Sequence, residues 1–230
     1  MPSQDLQPQP SAPERAKPYK GIAMEGLLAR WYTTIRQGDA ELEPVVHQVS
    51  DRLPAGGRVL EVAPGPGYLA IELARLGRYQ VVGLDISASF VQIARAKAKQ
   101  AGVAVEFHHG NAAQMPFGAS TFDFVVCRAA FKNFTEPVRA IQEMHRVLKL
   151  GGTALIIDLR GDASPEDIRT AVGNMGLGAI NRLMTQAAFK HFLLKNAYTG
   201  AQIRQMVAQT PFARCDIRED PIGMEIWLEK

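Results

Sequence analysis

The stretch RVLEVAPGPGYLAIELAR, residues 58–75, decides the fold of this chain. Its apolar start leads into two Pro-Gly pairs, and apolar residues at helical spacing follow from Leu69 onward. This order predicts a buried strand, a tight turn and a helix. Gly65 and Gly67 have no Cβ, so the backbone of the turn can lie against a ligand. The first N–H groups of the helix would point at the same ligand.

The spacing between this turn and the next buried carboxylate is informative. Asp85 ends the next apolar run, 20 residues beyond Gly65, where a doubly wound fold holds ribose hydroxyls. The pattern Gly65-x-Gly67-x-x-Ala70 also fits the fingerprint of dinucleotide-binding proteins. The glycine turn alone therefore indicates a nucleoside-containing cofactor without choosing its class.

Apolar strands and amphipathic helices alternate from residue 58 to residue 158. Alternation of this kind predicts an α/β fold, with a parallel sheet and helices on both faces. Ser87 and Thr135 are expected to cap two of the helices. Two β-like runs, residues 212–218 and 222–228, are joined across Asp220-Pro221 and predict a closing hairpin.

The chain is predicted to hold one domain, residues 19–230, behind a flexible tail. Residues 1–18 hold five prolines among Gln and Ser, a composition that cannot bury enough surface to become ordered. Residues 19–55 and 164–195 are expected to form a helical cover over the active site, the second as two helices broken near residues 173–178. The N-terminal helix is predicted from the spacing of Met24, Leu28, Trp31 and Ile35.

Further motifs follow the turn in a fixed order. Glu61 lies four residues before Gly65, Gly110-Asn111-Ala112 follows the third predicted strand, and Met115-Pro116-Phe117 comes just after it. A helical run at residues 143–149 then leads into Gly151-Gly152. This ordered set closely resembles the class I S-adenosylmethionine-dependent methyltransferases in their small-molecule branch, over roughly residues 40–160. The family pattern is acidic-x-Gly-x-Gly-x-Gly, and Ala63 stands at its first glycine.

The resemblance implies a Rossmann-like, seven-stranded, mostly parallel sheet and S-adenosylmethionine as the cofactor. Asp85 would accept hydrogen bonds from both ribose hydroxyls, Ile86 would pack against the adenine, and Asn111 with Ala112 would meet the adenine edge. The predicted cofactor-binding residues are Glu61, Ala63, Gly65, Gly67, Asp85, Ile86, Asn111, Ala112 and Arg128. In the alternative, Asp85 is a helix cap, Asn111 is a left-handed loop residue and Glu61 only holds the loop.

The transferred methyl group should lie beyond the fourth strand, beside the loop of residues 128–134. The predicted catalytic residues are Arg128, Phe131, Asn133 and Asp158. Arg128 binds either an anionic acceptor or the methionine carboxylate, or else it forms a surface ion pair. Asp158 either takes a proton from the acceptor or pairs with Arg160.

Two further side chains have open roles: Lys132 anchors the acceptor or is solvated, and His191 is a base or lies on a solvated face. The loop, together with residues 146–152, is similar to the ubiquinone/menaquinone C-methyltransferases. Lys132-Asn133 stands where that group has Arg-Asn.

Composition excludes several other classes. The chain has 230 residues, 47% of them apolar, so it can bury one substantial core. Its net charge of +3 is spread over scattered Lys and Arg residues, which argues against a nucleic-acid partner. The two cysteines, Cys127 and Cys215, give no metal spacing, so no metal is predicted. We expect no integral membrane segment, and a cytoplasmic location, because no long apolar run or signal peptide is present.

The predicted function is methyl transfer from S-adenosylmethionine to a small-molecule acceptor, with the oligomeric state left open. One alternative is a nucleotide-dependent oxidoreductase, which would share the glycine turn and Asp85. Another is a non-catalytic protein that binds S-adenosylmethionine.

Overall fold

The computed structural model describes residues 19–20, 25–26, 29, 42–176, 178–189 and 193–230. The tail predicted at residues 1–18 lies outside these described residues. So do His191 and the four residues that carry the predicted N-terminal helix, namely Met24, Leu28, Trp31 and Ile35.

The described chain is built on one seven-stranded sheet with the order β3-β2-β1-β4-β5-β7-β6. Strands β1 to β5 pair in parallel, and β7 pairs antiparallel with both β5 and β6. The strands are β1 Arg58–Val62, β2 Gln80–Asp85, β3 Glu106–His109, β4 Phe122–Arg128, β5 Leu148–Leu159, β6 Arg214–Glu219 and β7 Gly223–Glu229. The predicted fold class, including the closing antiparallel hairpin, is confirmed.

Helices cover both faces of this sheet. They are α1 Glu43–Ser50, α2 Tyr68–Arg75, α3 Ala88–Gln100, α4 Pro137–Val147, α5 Pro165–Gly173, α6 Ala179–Ala188 and α7 Gly200–Val207, with a 3₁₀ turn at Phe131–Asn133. The side chains of β4 alternate between the faces, as the period of a strand requires. Val125 packs in the core beneath α4 and α7, while Phe124 and Val126 pack in the core beneath α1, α2 and α3.

One of the two predicted helix caps is confirmed and the other is wrong. Ser87 Oγ accepts a hydrogen bond from Phe90 N at 3.1 Å and caps α3. Thr135 does not cap α4, because the helix begins at Pro137 and the cap position therefore belongs to Glu136. The side chain of Glu136 makes no capping bond, and Pro137 has no N–H that needs a partner.

The predicted break in residues 164–195 is also confirmed, since α5 ends at Gly173 and α6 begins at Ala179. Ser164 caps α5 reciprocally with Asp167, and Thr199 caps α7 in the same manner with Gln202. These caps fix the residues at which α5 and α7 begin.

The turn between β1 and α2 depends on its two glycines in different ways. Gly67 has a φ of +83°, and a Cβ there would lie 2.8 Å from Phe107 Cζ and 3.0 Å from Ala94 Cβ. Gly65 has a φ of +54°, but a Cβ there would meet nothing within 4 Å. Gly67 is therefore needed for packing as well as for its backbone conformation. Gly65 faces open space, where a ligand can approach.

We expect Gly67→Ala to lower the free energy of unfolding by about 2–5 kcal/mol, because a left-handed backbone costs a non-glycine residue roughly 1–2 kcal/mol and overpacking costs roughly 1–3 more. Gly65→Ala should cost only the first part, about 1–2 kcal/mol. Urea unfolding of the two variants measures the difference. Equal losses would show that Phe107 moves aside.

Candidate active site

A cavity of about 1020 Å³ opens at the carboxyl ends of β1, β2, β4 and β5. In the described parts of the chain, its lining includes these predicted site residues: Glu61, Ala63, Gly65, Asp85, Ile86, Asn111, Ala112, Arg128, Asn133 and Asp158. The topology brings them together because the carboxyl ends of parallel strands meet at one edge of a sheet. Gly67 lies in the turn itself, against Phe107, and Phe131 lies in the core.

Asp85 occupies the end of β2 and is only 4% exposed. Its Oδ2 accepts a hydrogen bond from Gly65 N at 2.9 Å, and its Oδ1 accepts one from Ser87 N at 2.8 Å. A carboxylate has about four lone-pair sites, so each oxygen can accept one more bond from a ligand in the cavity. Burial raises the pKa of Asp85, and this effect outweighs the lowering by its two backbone hydrogen bonds.

In the turn before α2, the backbone N–H groups of Ala63, Gly65 and Gly67 are already hydrogen-bonded within the protein. Ala63 N donates to Leu84 O at 2.8 Å, Gly65 N donates to Asp85, and Gly67 N donates to Pro64 O at 3.0 Å. Pro64 and Pro66 have no N–H at all. A phosphate cradle needs several backbone N–H groups directed at the ligand. In this structure the N–H groups of residues 63–67 are therefore not available to the pyrophosphate of a dinucleotide.

Glu61 supports the same turn from below. It is 4% exposed, and its Oε2 accepts a hydrogen bond from Ala70 N in the first turn of α2 at 2.8 Å. This bond satisfies one of the unpaired N–H groups at the helix start. It also agrees with the alternative in which Glu61 holds the loop, although the side chain lines the cavity as well.

The predicted adenine contacts lie on the next two connections. Ile86 follows β2 and lines the cavity, with its carbonyl oxygen 3.0 Å from His109 Nε2. Asn111 follows β3, and its Oδ1 accepts a hydrogen bond from Ala113 N at 2.9 Å. Asn111 does not have a left-handed backbone, so that alternative explanation of the residue is wrong. The roles of Ile86, Asn111 and Ala112 toward a cofactor stay predictions.

The loop after β4 divides its predicted catalytic residues between the cavity and the core. Arg128 and Asn133 line the cavity, and Ala129 between them has a φ of +55°. Phe131 is 1% exposed and packs edge-on against Phe134, with Tyr198 near its other side. Any effect of Phe131 on catalysis would therefore act through the position of the loop.

Asp158 and Lys132 form an ion pair in the wall of this cavity. Lys132 Nζ lies 3.0 Å from Asp158 Oδ1, and the two side chains are 13% and 5% exposed. Asp158 Oδ2 also accepts a hydrogen bond from Lys132 N at 2.9 Å. The predicted partner Arg160 instead pairs with Asp162 at 2.8 Å and with Glu219 at 3.4 Å, so that alternative is wrong. Lys132 is not a solvated loop lysine.

Tyr19 and Glu25 border the cavity from residues 19–55, the segment that was expected to cover the active site. Sequence reasoning missed another part of the lining: Asp220, Ile222 and Gly223 border the cavity from the turn between β6 and β7. The Asp220-Pro221 pair signalled a turn, but nothing in it signalled where the turn would lie. Within the described residues, no group of three or more His, Cys, Asp or Glu side chains could hold a metal ion. No helix among them is long and apolar enough to span a membrane.

The sheet order, the glycine turn after β1 and the buried carboxylate after β2 are the features expected of the class I S-adenosylmethionine-dependent methyltransferase fold. Residues 60–156 match the family described as "Methyltransferase domain". This match, over less than half of the chain, supports the predicted resemblance and S-adenosylmethionine as the cofactor. The predicted resemblance is confirmed.

Among curated proteins, this chain is similar to the demethylmenaquinone methyltransferase of Deinococcus radiodurans, with 36% identity over 108 residues that cover 46% of this chain and 45% of that protein. It is also similar to a ubiquinone/menaquinone biosynthesis C-methyltransferase of Marinomonas, with 35% identity over 108 residues, 45% of this chain and 43% of that protein. The matches thus span less than half of these relatives. A solved S-adenosylmethionine-dependent methyltransferase from Aquifex aeolicus shares the fold, with a TM-score of 0.67, 17% identity, and coverage of 87% of this chain and 97% of that one.

The raised pKa of Asp85 has a testable consequence for the cofactor-free protein. An unfolded Asp titrates near about 3.9. Because the folded pKa is higher, the contribution of Asp85 to stability is fully present below that value and is lost as the pH rises through the folded pKa. The free energy of unfolding of the wild type, minus that of Asp85→Asn, should therefore fall as the pH rises above about 4. Urea unfolding at several pH values measures it.

Asp123→Asn is the matched control for this measurement. Asp123 accepts hydrogen bonds from Arg58 N and from Lys149, and these outweigh its burial and lower its pKa. The corresponding difference for Asp123 should therefore be fully present above about pH 4 and be lost only as the pH falls below that value. A loss of the Asp123 difference as the pH rises above about 4, like that expected for Asp85, would contradict the assignment.

Proposed function

We propose that this protein transfers a methyl group from S-adenosylmethionine to a small-molecule acceptor. The observation that carries the proposal is the combination of Asp85 with the turn of residues 63–67. Asp85 offers lone pairs to hydroxyl groups in the cavity, while the turn has no N–H group for a phosphate. A ligand with a ribose and without phosphates fits both features.

The same combination argues against the oxidoreductase alternative. A nicotinamide dinucleotide carries a pyrophosphate, which needs backbone N–H groups at the glycine turn. Here Pro64 and Pro66 lack the N–H, and the N–H groups of Ala63, Gly65 and Gly67 are bonded within the protein. Binding a pyrophosphate would require these bonds to break.

The cofactor supplies a methyl group on a positively charged sulfur, which is already reactive toward a nucleophile. The protein then has to bind the two substrates in line and exclude water. Asp85 would hold the ribose, Glu61 would keep α2 against the turn, and Arg128 would meet the methionine carboxylate or the acceptor. These roles rest on the place of each side chain in the cavity wall.

The acceptor would enter beneath the predicted helical cover. Tyr19, Glu25 and Leu42 border the cavity from residues 19–55, and Met175 and Phe189 border it from residues 164–195. We propose that these two segments close over the acceptor, within the single domain of residues 19–230. Most of these lining groups are apolar, which favours an acceptor with an apolar body.

The printed names of the curated relatives support a carbon-methylated quinone precursor as one acceptor to test first. The match behind this suggestion lies in the cofactor half of the chain, while the residues from 164 onward supply much of the acceptor wall. The acceptor is therefore proposed only as a small molecule. A cytoplasmic location and the absence of a nucleic-acid partner stay predictions.

Calorimetry with S-adenosylhomocysteine and with NAD and NADP tests the cofactor part of the proposal. We expect saturable binding of S-adenosylhomocysteine and none of comparable affinity for the dinucleotides. Asp85→Ala removes charge-assisted hydrogen bonds worth about 1.5–3 kcal/mol each, so its affinity should fall tenfold or more. Asp123→Ala removes a carboxylate near the amino end of β4, outside the cavity lining, and this variant should bind the cofactor like the wild type.

Methyl transfer itself is tested by incubating the protein with methyl-labelled S-adenosylmethionine and fractionated extract. Label should appear in a small-molecule fraction and be lost with Asp85→Ala. Cofactor binding without any transfer would favour the non-catalytic alternative. Preferred binding of NAD or NADP would overturn the proposal.

A further inference from the structure

The buried Lys132–Asp158 ion pair is the feature of the cavity that the cofactor does not explain. It lies at the carboxyl ends of β4 and β5, on the side of the cavity bordered by Phe189 and Ile222. Asp85 and the glycine turn lie at the ends of β1 and β2. The pair is therefore placed for the second substrate.

The hydrogen bonds of the pair assign different tasks to its two members. Asp158 Oδ1 accepts bonds from Lys132 Nζ at 3.0 Å and from Leu159 N at 2.8 Å, while Oδ2 accepts one from Lys132 N at 2.9 Å. Three of about four lone-pair sites are thus filled from within the protein. A carboxylate held in this way fixes the position of its partner and is poorly placed to accept a proton.

Lys132, in contrast to Asp158, still has hydrogen-bonding capacity to offer a ligand. Its ammonium group has three donors; among the described residues Asp158 Oδ1 takes one, which leaves two for an acceptor in the cavity. The side chain is 13% exposed and lines the cavity. At such burial an ammonium interacts with an anion far more strongly than it would in water.

Lys132 is one of two cationic side chains in the described cavity wall. Among the described lining residues, Arg128 and Lys132 are the two with positive charge. The acidic side chains are engaged with backbone N–H groups: Asp220 Oδ1, for example, accepts bonds from Ile222 N and Gly223 N at 2.9 and 2.7 Å. Asp85 and Glu61 are bonded in the same manner.

We propose that Lys132 binds an ionised oxygen of the methyl acceptor and that Asp158 is the positioning residue that holds Lys132 in place. The acceptor class is then an acidic oxygen compound, a phenol or an enol, and not an amine. This inference rests on the proposed methyl transfer and adds the chemistry of its second substrate.

The reaction balances for such an acceptor. The phenol or enol releases its proton to solvent on binding, and the oxyanion lies against the Lys132 ammonium. An electron pair of the oxygen or of the conjugated carbon forms the new bond to the methyl carbon. The carbon–sulfur bond breaks, and its electron pair returns to the sulfur. An amine acceptor would instead gain positive charge beside Lys132, which the like charge opposes.

A pair of matched probes tests the acceptor class: 4-nitrophenol, whose phenolate absorbs visible light, and 4-nitroaniline, its amine counterpart. Each is titrated into the protein saturated with S-adenosylhomocysteine. We expect saturable binding of 4-nitrophenolate, at least tenfold tighter than that of 4-nitroaniline. No saturable phenolate binding, or no preference over the amine, overturns the proposal.

Variants then locate the preference. Lys132→Met should lower phenolate affinity about tenfold to a hundredfold and erase the preference, because one charge-assisted contact is lost. Lys132→Arg keeps the charge and should keep most of the preference, so a general packing defect is distinguished from the loss of charge. The matched control is Lys149→Met, since Lys149 forms the same kind of pair with Asp123 at 2.9 Å near the opposite ends of β4 and β5. A preference that survives Lys132→Met overturns the proposal.

A double-mutant cycle tests the task of Asp158. If Asp158 acts through Lys132, Asp158→Asn should weaken phenolate binding in the wild type and have no further effect in the Lys132→Met background. Additive losses would mean that Asp158 contacts the acceptor itself, which overturns its assignment as a positioning residue. Calorimetry with S-adenosylhomocysteine is run on every variant. Unchanged cofactor binding with no phenolate preference defeats this inference alone, whereas absent cofactor binding in the wild type defeats the proposed function.

Discussion

The two backbone hydrogen bonds that the Asp85 carboxylate accepts organise the cofactor end of the cavity. This one side chain accepts N–H groups from Gly65 and from Ser87, and so ties the turn after β1 to the start of α3. Burial opposes its charge and raises its pKa, so the fold carries this group at a cost in stability. Such a cost is understandable at a site whose oxygens must already face the cavity when a ligand arrives.

Glu61 complements Asp85 from the neighbouring strand. Its bond to Ala70 fixes the start of α2, and Gly67 in front of it is held by its close approach to Phe107. The turn is therefore held by Asp85 on one side and by Glu61 through α2 on the other, and its own N–H groups take part in these hydrogen bonds. Its rigidity and its inability to bind a phosphate have the same cause, which is why a pattern shared with dinucleotide-binding proteins has a different meaning in this chain.

Sequence reasoning succeeded where a local pattern determines the outcome. The alternation of strands and helices, the break between α5 and α6, and the cap at Ser87 all follow from the spacing of apolar residues, glycines and capping residues. The position of Asp85 in the cavity wall also follows, because strand ends in a parallel sheet converge.

It failed where the outcome depends on partners distant in sequence. One of the two alternatives for Asp158 was an ion pair with Arg160, two residues away, but its partner Lys132 is 26 residues earlier, on the neighbouring connection. Phe131 was predicted as catalytic from its place in the loop after β4, yet it lies in the 3₁₀ turn with its side chain buried in the core. Neither pairing nor burial of this kind has a signal in the order of the residues.

The junction between β4 and β5 shows how position separates structural from functional chemistry. Two ion pairs of the same kind join the β4 and β5 regions. Lys149 and Asp123 pair near the amino ends of the strands, and Lys132 and Asp158 pair near their carboxyl ends. The side chains of the first pair are 47% and 30% exposed, so water screens their attraction and the pair contributes little to stability. The second is 13% and 5% exposed in the wall of a cavity, where the same two groups interact strongly with whatever binds beside them. Because parallel sheets place ligands at their carboxyl ends, the topology decides which of the two pairs can act on a substrate.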